Sequence, residues 1–157
     1  MFRKILVPID VGEPEVAKQS LEVAVKLAAT FGSKLRLIHV APPIVSTYPM
    51  AVIPPSVYEN VGVYEKSQLD EMAEEIDLPK ERVSTVVRVD GVYPELLAEA
   101  EDWKADLIVV GAHRRSMASF LLGSTAAALS RHAKCAVMIV RSPLQARVHL
   151  TGGRPRY

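Results

Sequence analysis

The chain is predicted to be an α/β protein: an open, doubly wound, five-stranded parallel sheet flanked by four helices. Three observations predict this class. Short apolar runs of strand length, rich in β-branched residues, recur at 4–9, 34–40, 82–89, 106–110 and 136–140. Helical patterns alternate with them. The runs are apolar continuously rather than at every second residue, which is the mark of strands covered on both faces and joined by right-handed crossovers.

Each element has its own warrant. After the first run, Ala17, Leu21, Ala24, Val25 and Ala28 recur at spacings of three and four, which predicts a helix beginning near Pro14. The second helix is predicted from Leu69, Met72, Ala73 and Ile76, the third from Leu96, Leu97, Ala100 and Trp103, and the fourth over 124–131. The connection at 41–58 carries Pro42, Pro43, Pro49, Pro54 and Pro55 and is neither a regular helix nor a central strand. Its apolar Tyr48, Met50, Val52 and Ile53 suit a flap over a ligand, a connector or a partner-binding loop. Residues 1–141 are expected to form one domain and 142–157 a flexible C-terminal tail, because Gly152, Gly153, Arg154, Pro155 and Arg156 interrupt any periodicity there.

Composition narrows the partners. With 157 residues, 49% hydrophobic and 24% charged, the chain suits one soluble domain with a substantial core. Nineteen basic and eighteen acidic residues leave a net charge of +1, which provides no general attraction for nucleic acid or an anionic membrane. The apolar run at 4–9 is too short for a signal-peptide core or a spanning helix, so a cytoplasmic protein is expected. A single cysteine, Cys135, forbids an intrachain disulfide and, flanking a strand, reads as a buried structural thiol.

In an open α/β sheet, ligands bind beyond the carboxyl ends of the strands where strand order reverses. The first and fourth strands are expected to be the central pair. The residues that follow the strands are Asp10, then Val40 and Ala41, then Asp90 and Gly91, then 111–115. The stretch 106–141 is the most informative of these. It reads as a buried strand ending at Gly111, a basic loop with His113, Arg114 and Arg115, and Gly123-Ser124-Thr125 opening a small-residue helix. A glycine at the strand end permits close approach of a ligand, and unpaired N–H groups at a helix start attract anions, so the stretch suits a phosphate. Structural readings stand beside these: Asp10 as a cap of the helix near Pro14, His113 as an exposed loop residue, Ser124 or Thr125 as helix caps, and Val40 as core.

These residues carry a resemblance. Ile5-Leu6-Val7-Pro8-Ile9-Asp10, Leu37-Ile38-His39-Val40 and the block 106–141, in this order and at this length, resemble the universal stress protein family over residues 1–141. The resemblance implies a UspA-like, Rossmann-like sandwich of the adenine nucleotide alpha hydrolase type. The Ala-His-Arg loop with Leu-Leu-Gly-Ser and Arg-His-Ala is similar to the F and G type branch, in which ATP or AMP binding is expected. It places Pro8 and Asp10 by the ribose and Val40 by the adenine. Gly111, Ala112 and His113 are placed by the ribose and phosphates, and Gly123, Ser124 and Thr125 on the phosphate oxygens. Arg114 and Arg115 join this set through charge and position. The family's nucleotide motif has a glycine where Arg114 stands, and the spacer 115–122 is one residue shorter than in that motif.

The resemblance further implies a homodimer through the edge strand 136–140, with Mg²⁺ possible beside the phosphates. Chemistry beyond binding has little support in the sequence. No Gly-x-x-x-x-Gly-Lys-Ser/Thr motif is present, and no second acid beside Asp10 is evident for positioning metal and water, so ATP hydrolysis is expected to be weak at most. Asp10, His113 and Ser124 lack the nucleophile elbow that a hydrolytic triad needs. Cysteine and histidine spacings match no zinc site. The competing expectations are a nucleotide-binding stress-response protein and a nucleotide-independent dimeric interaction protein.

Overall fold

A computed structural model describes residues 1–43, 60, 62–112 and 123–141. The elements run β1 (Lys4–Pro8), α1 (Pro14–Phe31), β2 (Lys34–Ala41), α2 (Val63–Glu74), β3 (Val83–Val89), α3 (Val92–Asp102), β4 (Leu107–Gly111), α4 (Ser124–His132) and β5 (Ala136–Val140), with a short 3₁₀ turn at Lys80–Arg82. All five strands are parallel, in the order β3-β2-β1-β4-β5. The predicted fold class is therefore the observed one. β1 is the middle strand and β4 lies beside it, so strand order reverses between them.

Successive side chains of each strand face opposite layers. Ile5, Val7, Leu35, Leu37, Leu107 and Val109 pack in one layer with Ala17, Ala24 and Ala28 of α1 and Leu69 and Ala73 of α2. Leu6, Ile38, Val40, Ile108 and Val110 pack in the other with Leu96 and Ala100 of α3 and Ala126 and Leu129 of α4. This double burial explains why the strands read as unbroken apolar runs. Two predicted helical positions lie at or past helix ends: Ile76 follows the end of α2 and is still buried, and Trp103 is the C-terminal cap of α3. Apolar periodicity reports burial, and burial continues past the last helical turn.

α1 starts with proline in its first turn and stops at Gly32, whose φ of 69° is the left-handed conformation that glycine adopts without a Cβ penalty. Arg82 then covers that end, donating from Nη2 to the Ala28 carbonyl and from Nε to the Ser33 carbonyl at 3.0 Å. At the other side of the sheet's amino edge, the Asp106 carboxylate accepts from the Arg3 and Lys4 amides at 2.9 and 3.2 Å, tying β1 to β4 where both begin.

The layer beneath α3 contains a charged seam. Glu99 is 4% exposed and bridges two strands, with Oε1 2.7 Å from Arg36 Nη1 and Oε2 2.8 Å from Arg88 Nε. Arg88 also reaches Asp102 at 2.6 Å and Glu95 at 3.2 Å, and this carboxylate set, Asp102 foremost, holds its guanidinium above the usual arginine range. Arg36 stacks 4.5 Å over Trp103. Removing Glu99 leaves two arginines facing each other in a partly dry layer. Glu99→Ala is expected to lower the unfolding free energy by about 3 kcal/mol, at the lower end for a broken buried pair because both guanidiniums keep some solvent. Urea denaturation monitored by circular dichroism measures it.

Candidate functional site

The reversal of strand order brings the ends of β1 and β4 side by side, and the elements that follow them leave toward opposite faces. α1 begins just past β1. α4 leads into β5 and so runs antiparallel to it, which puts Gly123 and the helix start at the same carboxyl edge of the sheet. Pro8, Asp10, Gly111, Ala112, Gly123, Ser124 and Thr125 are thereby gathered at one edge from three separate parts of the chain, with Val40 at the end of the neighbouring β2. His113, Arg114 and Arg115, the loop at 41–58 beyond Pro43 and the tail at 142–157 lie outside the described residues.

Pro8 closes β1, and the pairing with β2 continues one residue further, from the Ile9 amide to the Ile38 carbonyl at 2.8 Å. Asp10 is exposed. Its Oδ1 accepts from the Gly12 amide at 2.9 Å, forming a local turn, while its carbonyl accepts from the Glu13 amide at 3.1 Å. The N-cap of α1 is Glu13, so the Asp10 side chain stiffens its own loop instead of capping the helix. A Cβ on Gly12 would stand 3.3 Å from Oδ1, which suits a glycine beside that carboxylate.

Gly111 has a structural reason to be glycine. A Cβ there would point at α1, 3.3 Å from the Val16 carbonyl and 3.9 Å from Ser20 Oγ. The missing side chain lets α1 cross close over β4. The Ala112 amide is also engaged, donating to the Val140 carbonyl at 2.8 Å. Val40 is 8% exposed and belongs to the core beneath α3 and α4, in line with its structural reading.

α4 differs from what its hydroxyl residues suggest. Gly123, buried and extended at φ −57° and ψ 151°, occupies the N-cap, and among the described residues no side-chain oxygen caps the helix. Ser124 and Thr125 are its first two residues, exposed and half-buried, not its caps. Its last turn carries Arg131 and His132, which complement the carbonyl end of the helix dipole.

His39 carries part of the family resemblance but is assigned no site role by the sequence, and the structure puts its ring beside the peptide groups that flank Asp10. Its ring is buried, with Nδ1 3.0 Å from the Ile9 carbonyl oxygen and 3.4 Å from the Val11 amide nitrogen. The available signal was a histidine inside an otherwise apolar strand run.

A small pocket of about 120 Å³ opens at the opposite, amino edge of the sheet, lined by Leu97, Ala100, Glu101, Lys104, Ala133 and Cys135 among others. It gathers no cluster of groups suited to chemistry. Burial pushes the Cys135 thiol up, with a smaller contribution from Asp106, and a backbone hydrogen bond only partly offsets this. That is the opposite of nucleophile activation.

The fold defines a class, the doubly wound α/β sandwich whose strand order reverses between the first and fourth strands. The chain belongs to the universal stress protein family, whose model matches residues 1–141. It is similar to universal stress protein G of Shigella flexneri, 30% identical over 143 residues that cover 90% of this chain and all of that one. The structure is similar to that of universal stress protein UspA from Lactobacillus plantarum, with a TM-score of 0.72, 22% identity, and coverage of 88% and 97% of the two chains. A universal stress protein solved in complex with cAMP has a TM-score of 0.62 and 24% identity, covering 88% of this chain and 97% of that one.

Two outcomes follow from this geometry. Gly111→Ala should destabilise the fold by about 1 to 2 kcal/mol, because the α1 backbone must give way, and a shifted urea midpoint at unchanged m-value would show it. Cys135 should alkylate with iodoacetamide more slowly at pH 7 than glutathione does, its rate rising only above the ordinary thiol pKa of about 8.5, because a raised pKa lowers the thiolate fraction.

Proposed function

We propose that the chain binds an adenine nucleotide, ATP or AMP, at the carboxyl edge of β1 and β4. The observation that carries this reading is the start of α4. At the strand reversal a helix opens on Gly123, and among the described residues no side chain caps it, so its first amides suit an anion at this edge, while the exposed Asp10 carboxylate marks the end of β1 beside it. Amides suit phosphate oxygens, and a carboxylate suits ribose hydroxyls. Family membership supports the choice of nucleotide, as does the relative solved with cAMP.

In this reading Gly123, Ser124 and Thr125 hold the phosphates, and Arg114 and Arg115 add charge. Asp10 and Pro8 flank the ribose, the β2 backbone at Val40 meets the adenine, and Gly111, Ala112 and His113 line the remaining wall. Mg²⁺ would travel with the phosphates, since Asp10 is the one carboxylate among the proposed contacts. Binding, rather than turnover, is the function: occupancy favours one conformation of the edge and so regulates a partner in the cytoplasm as part of a stress response. The outer side of β5 is a sheet edge, and pairing of two copies there would give a homodimer.

A second reading has its own observation. Gly111 and Ala112 are both engaged structurally, by α1 and by Val140, so the edge could persist in an interaction protein that binds no nucleotide. Calorimetry on nucleotide-stripped protein decides between them. The proposal predicts heat with ATP or AMP but not GTP, and at least about tenfold weaker binding in Gly123→Asp, which puts a negative charge at the phosphate position. No heat with any nucleotide supports the second reading. Arg114→Ala should weaken ATP more than adenosine; equal weakening would remove Arg114 from the phosphates.

A further inference from the structure

We infer that His39 is a positioning residue for Asp10, holding the loop after β1 in the shape that presents its carboxylate. The inference rests on the nucleotide reading and extends it to a residue that need not touch the ligand. His39 belongs to the sheet layer of Leu35 and Leu37 and is 8% exposed, an imidazole among aliphatic side chains. A polar ring so placed must find hydrogen-bond partners or cost stability. It finds them on both sides of Asp10.

The ring nitrogen has two ways to hold the loop. Protonated, Nδ1 donates to the Ile9 carbonyl at 3.0 Å; unprotonated, it accepts from the Val11 amide at 3.4 Å. The shorter contact favours the donor form. Since the Ile9 amide donates to the Ile38 carbonyl at 2.8 Å, two consecutive peptide groups before Asp10 are tied to β2, one by backbone and one by the His39 ring. Beyond Asp10, its own Oδ1 holds the Gly12 amide at 2.9 Å. The carboxylate thus sits on a turn fixed at both ends. An aliphatic residue at 39 would fill the layer but leave the Ile9 carbonyl without this partner, and the turn would lose its anchor to the sheet.

The test compares His39→Leu with His39→Asn, whose short amide can place an N–H near the Nδ1 position, and with His39→Gln, whose longer side chain cannot. His39→Leu and His39→Gln should weaken ATP about tenfold, the worth of one hydrogen bond lost at a binding loop, and His39→Asn should restore it to within about threefold. In an Asp10→Ala background, His39→Leu should cost less than about twofold, because it acts through Asp10. In the nucleotide-free protein, amide hydrogen exchange at Val11 and Gly12 should quicken in His39→Leu while Leu37 and Leu107 stay protected.

Equal losses in the Asn and Leu variants, additive effects with Asp10→Ala, or unchanged exchange at Val11 and Gly12 would each overturn the inference. If wild-type protein bound no nucleotide, the functional reading would fall, and the exchange measurement would still decide whether His39 holds the loop. Should His39→Leu not fold, the Asn and Gln variants make the same comparison.

Discussion

β1 and β4 lie side by side in parallel, Ile5 opposite Leu107 and Leu6 opposite Ile108, and the helices after them cover opposite faces. This pairing is what the rest of the molecule depends on. It is clamped at the amino edge by the Asp106 carboxylate on the Arg3 and Lys4 amides. At the carboxyl edge α1 crosses so closely that a methyl group on Gly111 would stand only 3.3 Å from the Val16 carbonyl. Because the helices diverge, the Asp10 turn and the start of α4 are the described elements that flank the two strand ends at this edge.

The two halves of the sheet are fixed by different chemistry. Around β1 and β4 the contacts are aliphatic and close. Beneath α3, the half with β2 and β3 is tied by Glu99 between Arg36 and Arg88, a directional arrangement in which each partner has a defined position. Past Pro8 at the carboxyl edge, the described ties from the β1 end to β2 include the backbone hydrogen bond from Ile9 to Ile38 and the ring of His39. In the proposed nucleotide-bound state, a ligand on Asp10 would pull on the junction between β1 and β2, which would give occupancy a physical route to the β2 side of the edge.

Much of this was legible in the residues. Continuous apolar runs announced strands buried on both faces, and the alternation with helices implied the parallel crossovers. The positions of Asp10 just past β1 and of Gly123 at the start of α4 were legible from the apolar runs on either side of them. Other residues were misread in part. Gly111 was read as a glycine that lets a ligand approach, but a sequence does not say which neighbour comes close, and here the α1 backbone does. Ser124 and Thr125 resemble helix caps by type, yet Gly123 takes that place, one residue earlier. His39 was hidden by its surroundings, since an apolar run advertises core and its hydrogen-bond partners are backbone groups thirty and twenty-eight residues away.

The central claim is that the ligand crevice lies at the carboxyl ends of β1 and β4. It is tested most directly by titrating ¹⁵N-labelled protein with ATP and following every backbone amide by NMR. The account predicts shifts concentrated at Asp10, Val11, Gly12, Ala112, Gly123, Ser124 and Thr125, with Lys104, Lys134 and Cys135 at the opposite edge unmoved. Shifts centred on that amino-edge group, or none at the Asp10 turn and the start of α4, would contradict it.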